Sequence, residues 1–269
     1  MTTALVITAA GINCDGELRQ AFRLAGCDVE DRHLSELLDD PGLLDRFDLI
    51  GLPGGFSYGD AVAAGRIAAQ LIRRRLYPSL VQAIERGVPI IAPCNGFQIA
   101  AQVGLLPGPA PGEPWPAEPP RPTISLAANT SARFVDRWTR IEVPPETRCV
   151  WTRDLALTAE TALLPVAHGE GRLVLADDAM LDELASRGQV AVRYASDDNP
   201  NGSVGDVAGL CDASGLVFGL MPHPERYTRW TQHPWWTRLA SDSPHEAAGP
   251  PGLQMFQSAV RHAAAAPAR

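Results

Sequence analysis

The sequence predicts an α/β fold, a central and mostly parallel sheet flanked by helices, with an additional β-rich part. Three observations carry this. Short apolar runs that read as buried strands alternate with helix-spaced segments over the first hundred residues, which implies parallel pairing through right-handed crossovers. A proline-dense stretch, Pro107 to Pro122, then interrupts the alternation. Beyond it β-prone runs dominate.

Leu5-Val6-Ile7 is the first strand. Asp15 to Ala25 carries apolar residues at helical spacing and stops at Gly26, a residue that tolerates the left-handed backbone ending a helix. Cys27 to Glu30 is the second strand, Leu49 to Leu52 the third and Val88 to Ile91 the fourth. Between the last two, a long helical stretch runs from Ala61 to Leu76 and continues past Pro78 to Glu85. Pro107 to Pro122 reads as an extended surface insertion. After it, Phe134-Val135, Arg140 to Val143 and Leu173 to Leu175 are strand candidates. Val190 to Tyr194 and Val207 to Leu210 flank Asn199-Pro200-Asn201-Gly202-Ser203, whose Asn-Gly signals a hairpin. Leu216 to Leu220 is the last strand, and a helix near Leu253 to Ala263 closes the chain. No internal repeat is present, and residues 1–269 read as a single domain.

Composition narrows the function. A formal net charge of −8 argues against a nucleic-acid surface, which needs clustered Lys and Arg. The one basic cluster, Arg73-Arg74-Arg75, reads as a solvated or partner-facing helix surface. No basic leader precedes Leu5, and no apolar run approaches the ~20 residues a membrane span requires, so the expected compartment is the cytoplasm. Cys14, Cys27, Cys94, Cys149 and Cys211 form no C-x-x-C pair, so no disulfide framework, structural zinc or other metal site is expected.

Three polar stretches follow directly on strands: Pro53 to Asp60, Cys94 to Gln98 and Pro222 to Arg226. In open α/β sheets such stretches converge beyond the carboxyl ends of the strands. Cys94 sits behind Pro93, where a strand turns into a helix, and a thiol there gains nucleophilicity from the helix N-terminus and from a nearby imidazole. The plain alternative is a small, inert core residue. His223, between two prolines, has Glu225 two residues on, and a carboxylate behind an imidazole fixes its tautomer and stabilises the imidazolium. Together these give a nucleophile, a general acid/base and an orienting carboxylate. The Asn95 N–H beside Cys94, with a loop glycine N–H from Gly54 or Gly55, fits an oxyanion hole. The Gly-rich loop lacks the spacing of a nucleotide fingerprint and the lysine of a P-loop.

Five stretches, Pro53 to Asp60, Cys94 to Gln98, Pro165 to Gly171, Asn199 to Ser203 and Met221 to Arg226, carry a family resemblance. So do Gly11 to Asp15 and Asn129 to Phe134. The set resembles the glutaminase subunits of phosphoribosylformylglycinamidine synthase, a purine-biosynthetic family of class I glutamine amidotransferases with a flavodoxin-like fold. The resemblance implies Cys94 as nucleophile, His223 as base and Glu225 as its partner, with Gly55 and Asn95 supplying oxyanion N–H groups. It implies that Gln98, Asn129 and Phe134 hold the substrate glutamine. It implies no cofactor in this chain, with ATP and Mg on a partner synthetase subunit that uses the ammonia, and a small accessory subunit in the same complex. His168 and Glu170 are expected to be turn residues. The chain departs from the family at Ala92 and Pro93, where glycine and a branched residue are usual. The Pro-rich stretch and Trp230 to Trp236 look longer than the compact members require. A stand-alone cysteine hydrolase of the same architecture, or a non-catalytic scaffold subunit with an inert Cys94, are the alternatives.

Overall fold

The computed structural model describes residues 2–239 and 249–265. Its strands are β1 (Thr3–Thr8), β2 (Asp28–His33), β3 (Leu49–Gly51), β4 (Ile90–Pro93), β5 (Ile124–Ala127), β6 (Val135–Glu142), β7 (Leu163–His168), β8 (Arg172–Leu175), β9 (Val190–Tyr194), β10 (Val207–Cys211) and β11 (Val217–Leu220). Nine form one sheet in the order β2-β1-β3-β4-β11-β10-β9-β6-β7, and β5 pairs with β8 separately. The pairings from β2 through β11 are parallel, and those from β11 to β7 are antiparallel. The sheet is thus parallel where strands alternate with helices and antiparallel in the β-rich half.

The helices are α1 (Asp15–Leu24), α2 (Leu34–Asp39), α3 (Arg66–Arg75), α4 (Tyr77–Glu85), α5 (Asn95–Val103), α6 (Met180–Ser186) and α7 (Pro251–Ala265). The central strands β1, β3, β4 and β11 are buried almost throughout, as parallel strands covered on both faces must be. Phe22 of α1, Phe256 of α7 and Trp151 meet edge to face beside the sheet, with centroids 5.2–6.5 Å apart. No helix among the described residues is long and apolar enough to cross a membrane.

Several expectations change. The helix expected from Ala61 begins only at Arg66, because the preceding loop takes left-handed backbone at Val62 (φ 77°) and Gly65 (φ 70°). It then breaks at Leu76, since Pro78 belongs in the first turn of a new helix. Val135 and Arg140 to Glu142 are parts of one strand, β6, with Phe134 and Val143 just outside its ends. The Asn-Gly segment does join two antiparallel strands, β9 and β10, but through a long loop in which Asn199 Oδ1 accepts from the N–H groups of Asn201 and Gly202. The strands β5 and β7 and the helices α2 and α6 were not foreseen.

The Pro-rich stretch is largely exposed from Pro111 to Pro122, and it is held down by one member of the basic cluster. Arg73 is not a freely solvated cation. Its guanidinium donates to the carbonyls of Gln102, Val103, Pro119 and Pro120 at 2.9–3.1 Å, while Tyr77 Oη donates to Pro116 O. Proline-rich backbone has carbonyls to spare, and a fork of N–H donors uses them. Trp235 and Trp236 are about half exposed, whereas Tyr227 meets both Trp138 and Trp230 edge to face.

Candidate active site

Cys94 lies between β4 and α5 at φ 51°, ψ −109°, a left-handed conformation that costs a non-glycine residue on the order of 1–3 kcal/mol. The strain turns the chain sharply enough for the Phe97 and Gln98 N–H groups to reach the Cys94 carbonyl, at 2.9 and 3.2 Å. The thiol then stands at the helix N-terminus. Gly96 is needed for close approach, because a Cβ there would overlap the Leu52 carbonyl oxygen at the end of β3.

His223 follows β11, with its N–H bonded to Pro165 O at 2.8 Å. Its Nδ1 donates to Glu225 Oε1 at 2.6 Å, and both residues are buried. That bond leaves Nε2 facing the Cys94 and Cys14 sulfurs. Burial opposes a charge on this imidazole, but the Glu225 carboxylate, the Cys94 sulfur and the Cys14 sulfur outweigh it and hold His223 well above its ordinary value. Gly54 makes the meeting possible. A Cβ there would stand 3.0 Å from His223 Cε1 and 3.3 Å from both Cys14 Sγ and Cys94 Cβ. The three polar stretches therefore converge as the strand ends predicted.

The site opens into a cavity of about 330 Å³, walled by Gly55, Gln98, Phe134, Glu170 and Arg226 with Cys94 and His223 among its lining residues. Its size suits a small polar metabolite rather than a polymer.

A family model described as a CobB/CobQ-like glutamine amidotransferase domain matches residues 2–263. A phosphoribosylformylglycinamidine synthase subunit PurQ from Dehalococcoides mccartyi is 39% identical over 268 residues, with 96% of each chain covered. The chain belongs to this glutamine amidotransferase family, on its PurQ branch. The PurQ subunit of Thermomicrobium roseum is likewise 39% identical, over 82% of this chain and 86% of its own. A chain in the structure of PurLQS from Thermotoga maritima superposes with a TM-score of 0.70 at 32% identity, covering 97% of this chain and 98% of that one.

Around the amidotransferase cavity the other expected residues divide into lining and supporting groups. Gly55 lines it at φ 138°, where a Cβ would come within 2.6 Å of Asn13 N. Asn95 supplies the first N–H of α5, and its buried side chain ties the Gly-rich loop to the helix. Its Oδ1 accepts from Ser57 N–H and its Nδ2 donates to Asp60 and Gln98. No hydrogen bond among the described residues engages the Gly55 or Asn95 backbone N–H. Gln98 is buried, not a helix-surface amide. Its Nε2 donates to Glu170 O at 2.7 Å and its Oε1 accepts from Asn95 at 2.8 Å. Phe134, 54% exposed, is part of the same lining.

Asn129 does not line the cavity. Its Nδ2 donates to Arg133 O and His168 O, both at 2.9 Å, and its Oδ1 accepts from Gly171 N and His168 Nδ1. It braces the wall from behind. His168 is not a turn residue either, because it ends β7 in a buried position against Gly171. Burial, then the charge of His223, pushes its imidazole down to about 4, so it stays neutral as donor to Asn129. Glu170 does lie in the bend that follows.

Sequence reasoning gave no role to Cys14 and Arg226. Arg226 Nη2 approaches Cys14 Sγ at 3.0 Å across 212 positions of sequence, and its Nε lies 3.7 Å from Glu17 Oε1. No local spacing signals such a contact.

Proposed function

We propose that this chain is the glutaminase component of phosphoribosylformylglycinamidine synthase, with Cys94, His223 and Glu225 as its catalytic triad. The observation that carries the assignment is the buried 2.6 Å His223–Glu225 pair facing a thiol on a strained elbow. Cys94 attacks the side-chain amide carbon of glutamine, and its proton passes to His223. The tetrahedral oxyanion meets the Gly55 and Asn95 N–H groups, for which no acceptor among the described residues competes. Imidazolium then protonates the leaving nitrogen, ammonia departs, and a water activated by His223 hydrolyses the thioester to glutamate. Gln98 and Phe134 bear on the bound glutamine from the cavity wall, and Asn129 acts through the wall it braces. The chain works as a single domain, with residues 107–122 as a surface insertion.

The names of the relatives, subunits of a synthase, support the reading that this chain works in a complex with other subunits. In that reading the ammonia goes to an ATP- and Mg-dependent synthetase subunit that amidates formylglycinamide ribonucleotide, with a small accessory subunit alongside. The complex is cytoplasmic, and this chain carries no cofactor of its own. The test is to treat the complex with the glutamine analogue diazo-oxo-norleucine and locate the adduct by mass spectrometry. The expected adduct is on Cys94, and Cys94→Ala abolishes glutamine-dependent amidine formation while ammonia-dependent formation survives. Equal loss of both activities would make the thiol structural. Peptidase activity with a glutaminase rate that the synthetase leaves unchanged would favour the stand-alone hydrolase.

A further inference from the structure

We infer that Cys14 and Arg226 are positioning residues for glutamine hydrolysis: Cys14 gives the His223 imidazole a second sulfur to face, and Arg226 fixes that sulfur and sets a permanent positive charge beside the nucleophile. The inference rests on the reading of Cys94 and His223 as the reacting pair. Cys14 is buried and held on every side. Its N–H donates to Gly54 O at 3.2 Å, and its carbonyl accepts from Leu18 N–H at 3.1 Å where α1 begins. Its thiol donates to Asn13 Oδ1 at 3.3 Å and accepts from Arg226 Nη2 at 3.0 Å, while a ring nitrogen of His223 lies within 4.8 Å of Sγ. A thiol has one weak donor and lone pairs to accept with, so it serves all three neighbours at once. Arg226 is steadied in turn by Glu17, whose Oε1 is 3.7 Å from its Nε.

Glu225 holds only the Nδ1 edge of the His223 ring. The Nε2 edge stands against the two sulfurs, of Cys94 and of Cys14. Attack on glutamine turns Cys94 into a thioester, which no longer offers a thiolate to the imidazolium. From that step until water reaches the thioester, Cys14 is the sulfur that still faces Nε2 and keeps the ring aimed. Arg226 acts through its charge. A guanidinium is charged at every working pH, and a cation beside the pair favours the Cys94 thiolate and disfavours the imidazolium. Removing it therefore moves both limbs of the pH profile upward. The other groups facing the pair are Glu225 and Glu17, His168 at the end of β7 and Tyr194 at the end of β9. His168, pushed down to about 4 by burial, and Tyr194, pushed up by burial, are both uncharged at neutral pH and leave the limbs to the pair and its fixed charges.

The test follows kcat and KM for glutamine across pH with the synthetase present, beside the rate of Cys94 alkylation by iodoacetamide, read by mass spectrometry of the Cys94 peptide. Arg226→Gln should raise the acid limb of both profiles by about one pH unit, so that rates below the limb fall about tenfold while KM stays within threefold. Arg226→Lys, which keeps the charge, should return the limb toward its wild-type position. Cys14→Ala should lower kcat about tenfold at unchanged KM, with Cys14→Ser, which keeps a donor and an acceptor, in between. Tm checks folding, and Arg226→Met and Cys14→Ser replace the first variants where those prove unstable. An unmoved acid limb in the uncharged Arg226 variant, or kcat within threefold of wild type in the Cys14 variant, overturns the inference. A raised KM with the limb unmoved overturns it too, and makes Arg226 a ligand of glutamine instead. A wild-type chain that hydrolyses no glutamine overturns the functional reading, while the alkylation profile still decides the role of Arg226.

Discussion

Replacing Glu225 by Gln keeps the shape of the buried pair and removes only its charge. The bond to His223 is 2.6 Å, and neither side chain reaches solvent appreciably. A charge-assisted hydrogen bond contributes about 1.5–3 kcal/mol, and breaking a buried ion pair costs about 3–5 kcal/mol. With roughly 1.36 kcal/mol per tenfold in rate, a loss near 3 kcal/mol lowers kcat by about 10²-fold, with 10³-fold as the upper range. The cause is specific. His223 is held well above its ordinary value by Glu225 and the two sulfurs against burial, and in Glu225→Gln the largest opposing charge is gone.

The stability consequence has a definite sign. In the wild-type chain the raised His223 contributes stability that is complete below the unfolded value of about 6.5, and this is lost as pH rises through the folded value. In the variant burial dominates, so the imidazole is neutral when folded and stability is lost as pH falls below about 6.5. Steady-state glutaminase kinetics with the synthetase present, and Tm measured across pH 5 to 8, check both. A variant with kcat within threefold of wild type and an unchanged pH dependence of Tm would refute the reasoning.

Gly96→Ala places a Cβ against the Leu52 carbonyl oxygen, and the rigid backbone on both sides predicts a loss above about 3 kcal/mol, read as a fall in Tm or in soluble yield. Arg73→Ala removes four carbonyl contacts, so residues 107–122 should become the first site of limited proteolysis, while glutaminase activity stays within threefold. His168, pushed down to about 4, makes the fold lose stability as pH falls from about 6.5 to 4, by about 3 kcal/mol in full. His168→Gln should flatten that acid limb in a Tm-against-pH series.

How far the sequence reveals this fold depends on where the ordering forces are local. Apolar runs such as Leu49 to Leu52 and Val88 to Ile91 must be buried on both faces, and their burial is visible without partners. The antiparallel half was legible only in part. Leu163 to His168 is not read as a strand, and its last residue is taken for a turn residue, because Pro165 and His168 disguise a segment that pairs with β6. The loop from Ala61 to Gly65 looks helical by apolar spacing. It is instead pulled over the site by the Asp60 carboxylate, which accepts from Gly65 N–H and Asn95 Nδ2. At the site, Cys94, His223 and Glu225 were legible because each sits on or beside a strand end. Cys14, Arg226 and the burial of Asn129 were not, because long-range packing creates them.

The departure at Ala92 and Pro93 shows how the elbow tolerates a residue without an N–H. In β4 the residues facing β11 are Ile90 and, two and four positions on, Ala92 and Cys94, with Ile90 N–H bonded to Leu216 O and Cys94 N–H to Leu220 O at 2.7 Å. Pro93 therefore faces the other neighbour, β3. That strand pairs with β4 only at Ile50↔Ile90 and Gly51↔Ile91 and has ended before Pro93 is reached. No ladder bond is lost, and the ring restricts φ just ahead of the strained Cys94, which lowers the entropy the unfolded chain would gain. Ala92, for its part, packs where Gly96 comes closest, since a Cβ on Gly96 would stand 3.3 Å from that of Ala92. Glycine at 96 thus makes room both for the methyl group of Ala92 and for the Leu52 carbonyl. Restoring glycine at 92 should loosen β4 without sharpening the turn, so Ala92→Gly should lower Tm and leave the rate of Cys94 labelling by diazo-oxo-norleucine within threefold; a faster rate would mean that Ala92 holds the thiol back.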